Sequence, residues 1–188
     1  MKEQLEKQII DATITLFNEK GLKFTMDDIA GSLAISKKTI YTVFKDKESL
    51  CMAMVDTCFD AVKEKEQWVM KQDLPTIEKL RRVMAALPEA YMEVDFRLLY
   101  ELKDKYPKIY SKVAQRLESG WELTIALIEQ GMAEGVIRPI SIPVFKTMME
   151  ATLEQFFQRD ILIQSGLSYQ KALDEVVMIM IHGIEEGK

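Results

Sequence analysis

Apolar residues recur at intervals of three and four along nearly the whole chain, and few residues interrupt them. Leu5, Ile9, Ala12 and Leu16 open the pattern, and Leu50, Met54, Cys58 and Val62 repeat it further on. Such spacing places side chains on one face of an α-helix. With 5 prolines and 8 glycines in 188 residues, breakers are sparse enough for long helices. No segment alternates with the period of two that a half-buried strand requires, so the fold class is all-α.

The breaks divide the chain into helices with readable ends. The first runs from about Lys2 to Glu19, and Gly21 stops it. Thr25 caps a short helix whose Asp28 completes a capping box. Ser36 caps a second short helix, Lys37 to about Val43, and Asp46 caps a long one reaching about Val69. Further helices are expected over about Pro75–Met92 with a kink at Pro88, around Phe96–Lys103, over Pro107–Leu117 and Glu118–Glu134, and finally over Pro143–Gln164 and Tyr169–Glu186.

Residues 25–44 read as cap, short helix, tight turn, cap, short helix, which is a helix-turn-helix. In that layout the second helix enters the DNA major groove. Ile40 and Phe44 face inward, leaving Lys37, Lys38, Thr39, Tyr41 and Thr42 toward solvent. These groups suit phosphate oxygens and base edges. Ser36 and the helix N-terminus add backbone donors, and Lys45 and Lys47 add positive charge. The net charge of −5 does not contradict this, because residues 1–50 hold eight lysines and eight acidic residues and the remainder carries the whole excess.

Thr25, Asp28-Ile29-Ala30, Ile35-Ser36, Thr39-Ile40-Tyr41, Phe44 and Lys47-Glu48-Ser49-Leu50 together resemble the DNA-binding signature of the TetR family of regulators. Ile10, Ala12, Leu16-Phe17 and Gly21 fall in step with it. The resemblance covers about residues 5–60. It implies a three-helix DNA-binding domain over residues 1–60, a long connecting fourth helix, and a ligand-binding and dimerisation body over 61–188. It also implies that Thr25, Tyr41 and Lys47 hold phosphates while Lys37, Lys38, Thr39 and Thr42 lie at or near bases. Two positions depart from the pattern: Ala34 and Lys38 stand where glycine is common. The first position can need a positive φ, which is costly for a residue other than glycine, so a turn of slightly different shape is implied; the second implies an added contact.

In the body, Val176 to Ile181 is apolar all round, and the helix before it is apolar on more than one face. Such helices are buried on two sides, one of which a partner subunit can supply. Met149, Phe157, Leu173, Val177, Met180, Ile181 and Ile184 are the expected homodimer contacts. Met84, Tyr91, Phe96, Tyr100, Trp121, Met148 and Phe156 are the expected lining of a pocket for a partly apolar effector. His182 is expected in the core or the interface.

No catalytic constellation, metal-spaced Cys/His set or phosphate-binding glycine loop is present, so neither enzymatic activity nor a cofactor or metal is expected. Cys51 and Cys58 are two turns apart on one helix, too far for a disulfide. No apolar run approaches a membrane span, and a cytoplasmic location is expected. The function expected is a ligand-responsive repressor bound as a dimer to a pseudo-palindromic duplex operator, with an activator of the same fold as an alternative. The rival is a helical protein-interaction module with a repurposed DNA-binding surface.

Overall fold

The computed structural model describes residues 2–92, 103 and 106–185, and these are helical with no strand. Helix α1 (Lys2–Lys20) is followed by a 3-10 turn (Gly21–Lys23), α2 (Met26–Ser32), α3 (Lys37–Tyr41) and α4 (Lys47–Met70). The body continues with α5 (Thr76–Met84), α6 (Glu89–Met92), α7 (Pro107–Glu118), α8 (Glu122–Glu134), α9 (Ile142–Gln158), α10 (Ile161–Ser165) and α11 (Tyr169–Ile184).

The caps expected from the sequence act as such. Thr25 and Asp28 form a reciprocal capping box, the Ser36 hydroxyl accepts the Thr39 amide, and Asp46 and Ser49 form a second box at the start of α4. Each satisfies amides that a helix N-terminus otherwise leaves without partners.

Several helices are shorter than the periodicity predicts, for local backbone reasons. The Pro75–Met92 helix is broken rather than kinked: α5 ends at Met84, because the residue before Pro88 is pushed away from helical geometry. The helix expected from Glu118 starts at Glu122, after extended Ser119 and Gly120 at φ 78°. The helix expected over 143–164 divides where Arg159 becomes extended, giving α9 and α10. Helix α3 ends at Tyr41, two residues early. The segment expected around 96–103 lies almost wholly outside the described residues.

Two cores form. The first gathers Ile9, Phe17, Phe24, Ile29, Ile40, Phe44 and Leu50 around α1 to α4, and it also takes in Ile109 and Val113 from α7. The second joins α5, α8, α9 and α11 through Leu80, Leu127, Ile128, Met149, Leu173 and Val177. Leu117 and Tyr169 pack against both. Helix α4, about 36 Å long from its 24 residues, contributes Leu50, Cys51 and Val55 to the first core and Val69 to the second. Along its outer side runs an ion-pair ladder to α7: Lys108 to Glu48 at 2.9 Å, Lys112 to Asp56 at 2.9 Å, and Arg116 to both Asp56 and Asp60. At the far end, Arg138 donates its amide to Ile184 O and its Nε to Gly183 O, both at 2.9 Å, so the loop before α9 caps the end of α11.

Ala34, in the turn between α2 and α3, has φ 51° and is the one non-glycine residue in the left-handed region among those described. A Cβ there costs about 1–2 kcal/mol, against the smaller entropic cost of glycine in the unfolded chain. Ala34→Gly is therefore expected to stabilise the protein by about 0.5–1 kcal/mol in urea denaturation. An unchanged or lowered midpoint would show that the turn carries no such strain.

Candidate DNA-binding surface and effector cavity

The recognition helix is anchored from beneath. Ile40 is completely buried and Phe44 nearly so, four residues apart, which fixes the rotation of α3. The outer side presents Ser36, Lys37, Lys38, Tyr41 and Thr42, all exposed, and Tyr41 keeps 49% of its surface open. Thr25 and Lys45 are exposed beside them, while Thr39 is half-buried with its hydroxyl 2.9 Å from that of Ser36. The Thr42 hydroxyl donates to Thr39 O at 2.6 Å.

The surface charges are mutually arranged across the motif. Lys37 on α3 pairs with Asp27 on α2 at 3.0 Å, which raises the lysine's pKa. Lys20 on α1 reaches Asp28 at 2.6 Å, and this bond, with those from Thr25, holds the Asp28 carboxyl at about 2. Asp28 is thus ionised throughout the neutral range and locks α1 to the start of α2. Lys20 and Asp27 are not among the residues expected from the sequence. Neither shares a helix with its partner, so periodicity carries no signal for the pairing.

Lys47 is placed differently from the expectation. Its ammonium points inward, donates to the carbonyls of Leu22 and Phe24, and lies 4.2 Å from the centre of the Phe24 ring. Burial lowers its pKa. The physical reason is the 3-10 turn after α1, whose carbonyls lack helical partners and are closed by this lysine. Lys47 therefore ties the start of α4 to the loop before α2, with its side chain half-buried.

Between the two cores lies a cavity of about 180 Å³. Helix α4 lines it with a stripe that includes Cys51, Val55, Cys58, Val62 and Glu66, and Phe17 of α1, Gly120 and Trp121 also stand in its wall. Of the residues expected in a pocket, Met84, Tyr91 and Trp121 line this cavity. Burial pushes the Tyr91 hydroxyl up to about 12. Phe156 is buried in the body core but is not in the cavity wall. Met148 is a correction: it faces outward and is 56% exposed, because its neighbour Met149 takes the inward direction, about 100° around the helix. Phe96 and Tyr100 lie outside the described residues.

The expected dimer residues need the same correction. Met149, Leu173, Val177, Met180, Ile181 and Ile184 are buried in this chain's own core, and Met149 and Leu173 also line the cavity. The side chain of Phe157 lies outside the described set. Apolar residues that remain outside are Val144 and Met148 on α9, and Met178 and Ile179 on α11. His182 is exposed on that side of α11 rather than buried. Composition reveals a helix that is apolar all round, but not which of its faces its own chain covers.

The cysteines are unsuited to redox sensing. Burial pushes the Cys51 thiol up to about 11 and the Cys58 thiol to about 12, so neither forms much thiolate near neutral pH. Among the described residues no group of His, Cys, Asp or Glu could hold a metal, and no helix is long and apolar enough to cross a membrane.

A two-helix reading head with a buried anchor, set on a helical body, defines a helix-turn-helix DNA-binding regulator. The comparisons with known proteins agree. Residues 9–54 match the family of bacterial regulatory proteins, tetR family. The HTH-type transcriptional regulator YhgD of Bacillus subtilis (strain 168) is 30% identical over 71% of this chain and 72% of its own length. YvaF of the same organism, also an HTH-type transcriptional regulator, is 25% identical over 96% and 95%. The biofilm operon icaADBC HTH-type negative transcriptional regulator IcaR of Staphylococcus aureus is 28% identical over 61% and 56%. A TetR-family regulator from Cytophaga hutchinsonii superposes with TM-score 0.73 at 21% identity, over 100% of this chain and 98% of that one. FadR from Bacillus subtilis, crystallised with stearoyl-CoA, superposes with TM-score 0.65 at 17% identity, over 95% and 98%. The chain belongs to the TetR family of transcriptional regulators.

Two variants test the reading surface. Lys37→Ala with Lys38→Ala should weaken DNA binding and flatten the dependence of log K on log salt, since each phosphate left without its lysine lowers the slope by about 0.9. Asp27→Asn should act oppositely, because Lys37 no longer exchanges a carboxylate for a phosphate. Unaltered salt slopes in fluorescence-anisotropy titrations would remove both lysines from the interface.

Proposed function

We propose that the protein is a ligand-responsive repressor that binds a pseudo-palindromic operator as a homodimer. The observation that carries this reading is the position of the cavity. Its wall is built from α4, the helix whose N-terminal end carries the recognition motif, and it extends to Phe17 of α1 inside the DNA-binding core. A molecule filling the cavity therefore acts directly on the helices that orient α3.

Dimerisation gives such a shift its effect. Two recognition helices must meet half-sites one DNA turn apart, so a small rigid-body change in either subunit weakens both contacts. Ligand and operator are then linked, each lowering the other's affinity by the same factor. The outer apolar face of Val144, Met148, Met178 and Ile179 is the surface assigned to the partner subunit, in place of the buried residues of the same two helices. An isologous contact of this kind buries the same patch twice. The negative regulation named for IcaR favours repression, and FadR's complex with stearoyl-CoA favours an effector that carries a long aliphatic chain.

Selection from randomised duplex DNA, read at two salt concentrations, tests the reading. A two-fold symmetric motif is expected, and no motif at either salt would refute it. In parallel, Ile179→Asp, at a position 72% exposed, should leave the fold intact and shift the protein from dimer to monomer in light scattering. A dimer that survives the change would move the interface elsewhere.

A further inference from the structure

One corner of the cavity is polar. Glu66 is only 7% exposed, and both of its carboxylate oxygens accept from the Lys63 ammonium, at 2.8 and 2.9 Å. Lys63 also donates to the carbonyl of Gly120 in the turn between α7 and α8. That turn is shaped for the contact: a Cβ on Gly120 would stand 2.5 Å from Lys63 Cε and 2.8 Å from its Nζ. A single lysine, held by Glu66, therefore staples the α7–α8 turn onto α4.

The staple's two partners are not equally free to leave. Glu66 is fixed by burial on the inner side of α4, whereas Lys63 keeps 38% of its side-chain surface open on a long flexible stem. Burial raises the Glu66 pKa, and Glu122 adds a second negative charge close by. Among the described residues, the other cations near the wall are already engaged: Lys65 by the carbonyl of Leu87, Arg116 by Asp56 and Asp60 and over the Phe59 ring, and Lys146 with Glu150 and over the Trp121 ring. An anionic head would meet the Glu66 carboxylate, with the charge of Glu122 adding to the repulsion, while each of these cations already holds a partner. A cationic head can replace the Lys63 ammonium on Glu66 while that lysine swings to water, and the buried carboxylate keeps a partner throughout.

The rest of the site fixes the ligand's shape. From Cys51 to Glu66 the stripe on α4 is fifteen residues of helical rise, roughly 22 Å, and its lining is chiefly aliphatic, aromatic and sulfur-bearing. We propose that the effector is an elongated apolar molecule with one cationic head, and that it acts by taking Glu66 from Lys63 and so freeing the α7–α8 turn from α4. This rests on the cavity being the effector site proposed above.

The test uses the full chain carrying Trp68→Phe, which leaves Trp121 in the cavity wall as the one tryptophan. Trp121 fluorescence is titrated with dodecyltrimethylammonium, dodecanol and dodecanoate, each below its micelle concentration. The cation is expected to bind about tenfold or more tightly than the alcohol, with the alkanoate weakest. Glu66→Gln should erase the preference for the cation while leaving alcohol binding unchanged. Lys63→Met, which removes the competing ammonium, should strengthen cation binding and weaken operator binding even without ligand. Preference for the alkanoate or alcohol, or a cation preference that survives Glu66→Gln, overturns the proposed ligand class and leaves the effector site standing. Binding of none of the three overturns the effector site itself.

Discussion

Everything in this molecule depends on α4 having one hydrogen-bonded backbone and two cores. Its first turns bury Leu50, Cys51 and Val55 against α1 and the reading head, and its last turn buries Val69 in the body. A continuous helix transmits rotation and translation along its length, because bending it costs backbone hydrogen bonds. The two cores therefore cannot reorient independently. The link is reinforced by α7, whose Ile109 and Val113 enter the first core while its basic residues pair with the acidic side of α4.

The head itself is small and depends on closures from outside its own helices. With five residues, α3 has too few internal hydrogen bonds to persist alone, so Ile40 and Phe44 hold it by burial and Ser36 by capping. Lys47 closes the carbonyls after α1, and Lys20 closes Asp28. The Lys47 bonds attach the head to the first turn of α4, and the Lys20 bond holds α1 to α2. Movement of that turn is thereby felt at α3, which links cavity and DNA surface by contact rather than by distance alone.

The body is built around polar groups as well as apolar ones. An ion pair with one buried partner is a poor source of stability, since desolvation of that partner offsets much of the attraction. Its presence as Lys63 with Glu66 at a cavity wall is better accounted for by specificity than by fold stability. In the proposed effector site, the surrounding apolar stripe selects the shape of the ligand and the fixed carboxylate selects its charge.

The sequence by itself determined the helical class, the caps at Thr25, Ser36 and Asp46, the inward Ile40 and Phe44, and the outward face of α3. All of these are local: they follow from spacing within one helix or from the chemistry of one turn. Only the tertiary structure decided that Lys47 turns inward, that Met149 and Leu173 face the chain's own core, that Met148 and Ile179 face out, and that Lys63, Glu66 and Gly120 meet. Lys63 and Gly120 are 57 residues apart, and Lys47 and Leu22 are 25 apart. Helical periodicity tells which residues share a face, but not which neighbour covers that face, because that is set by how the helices pack against one another.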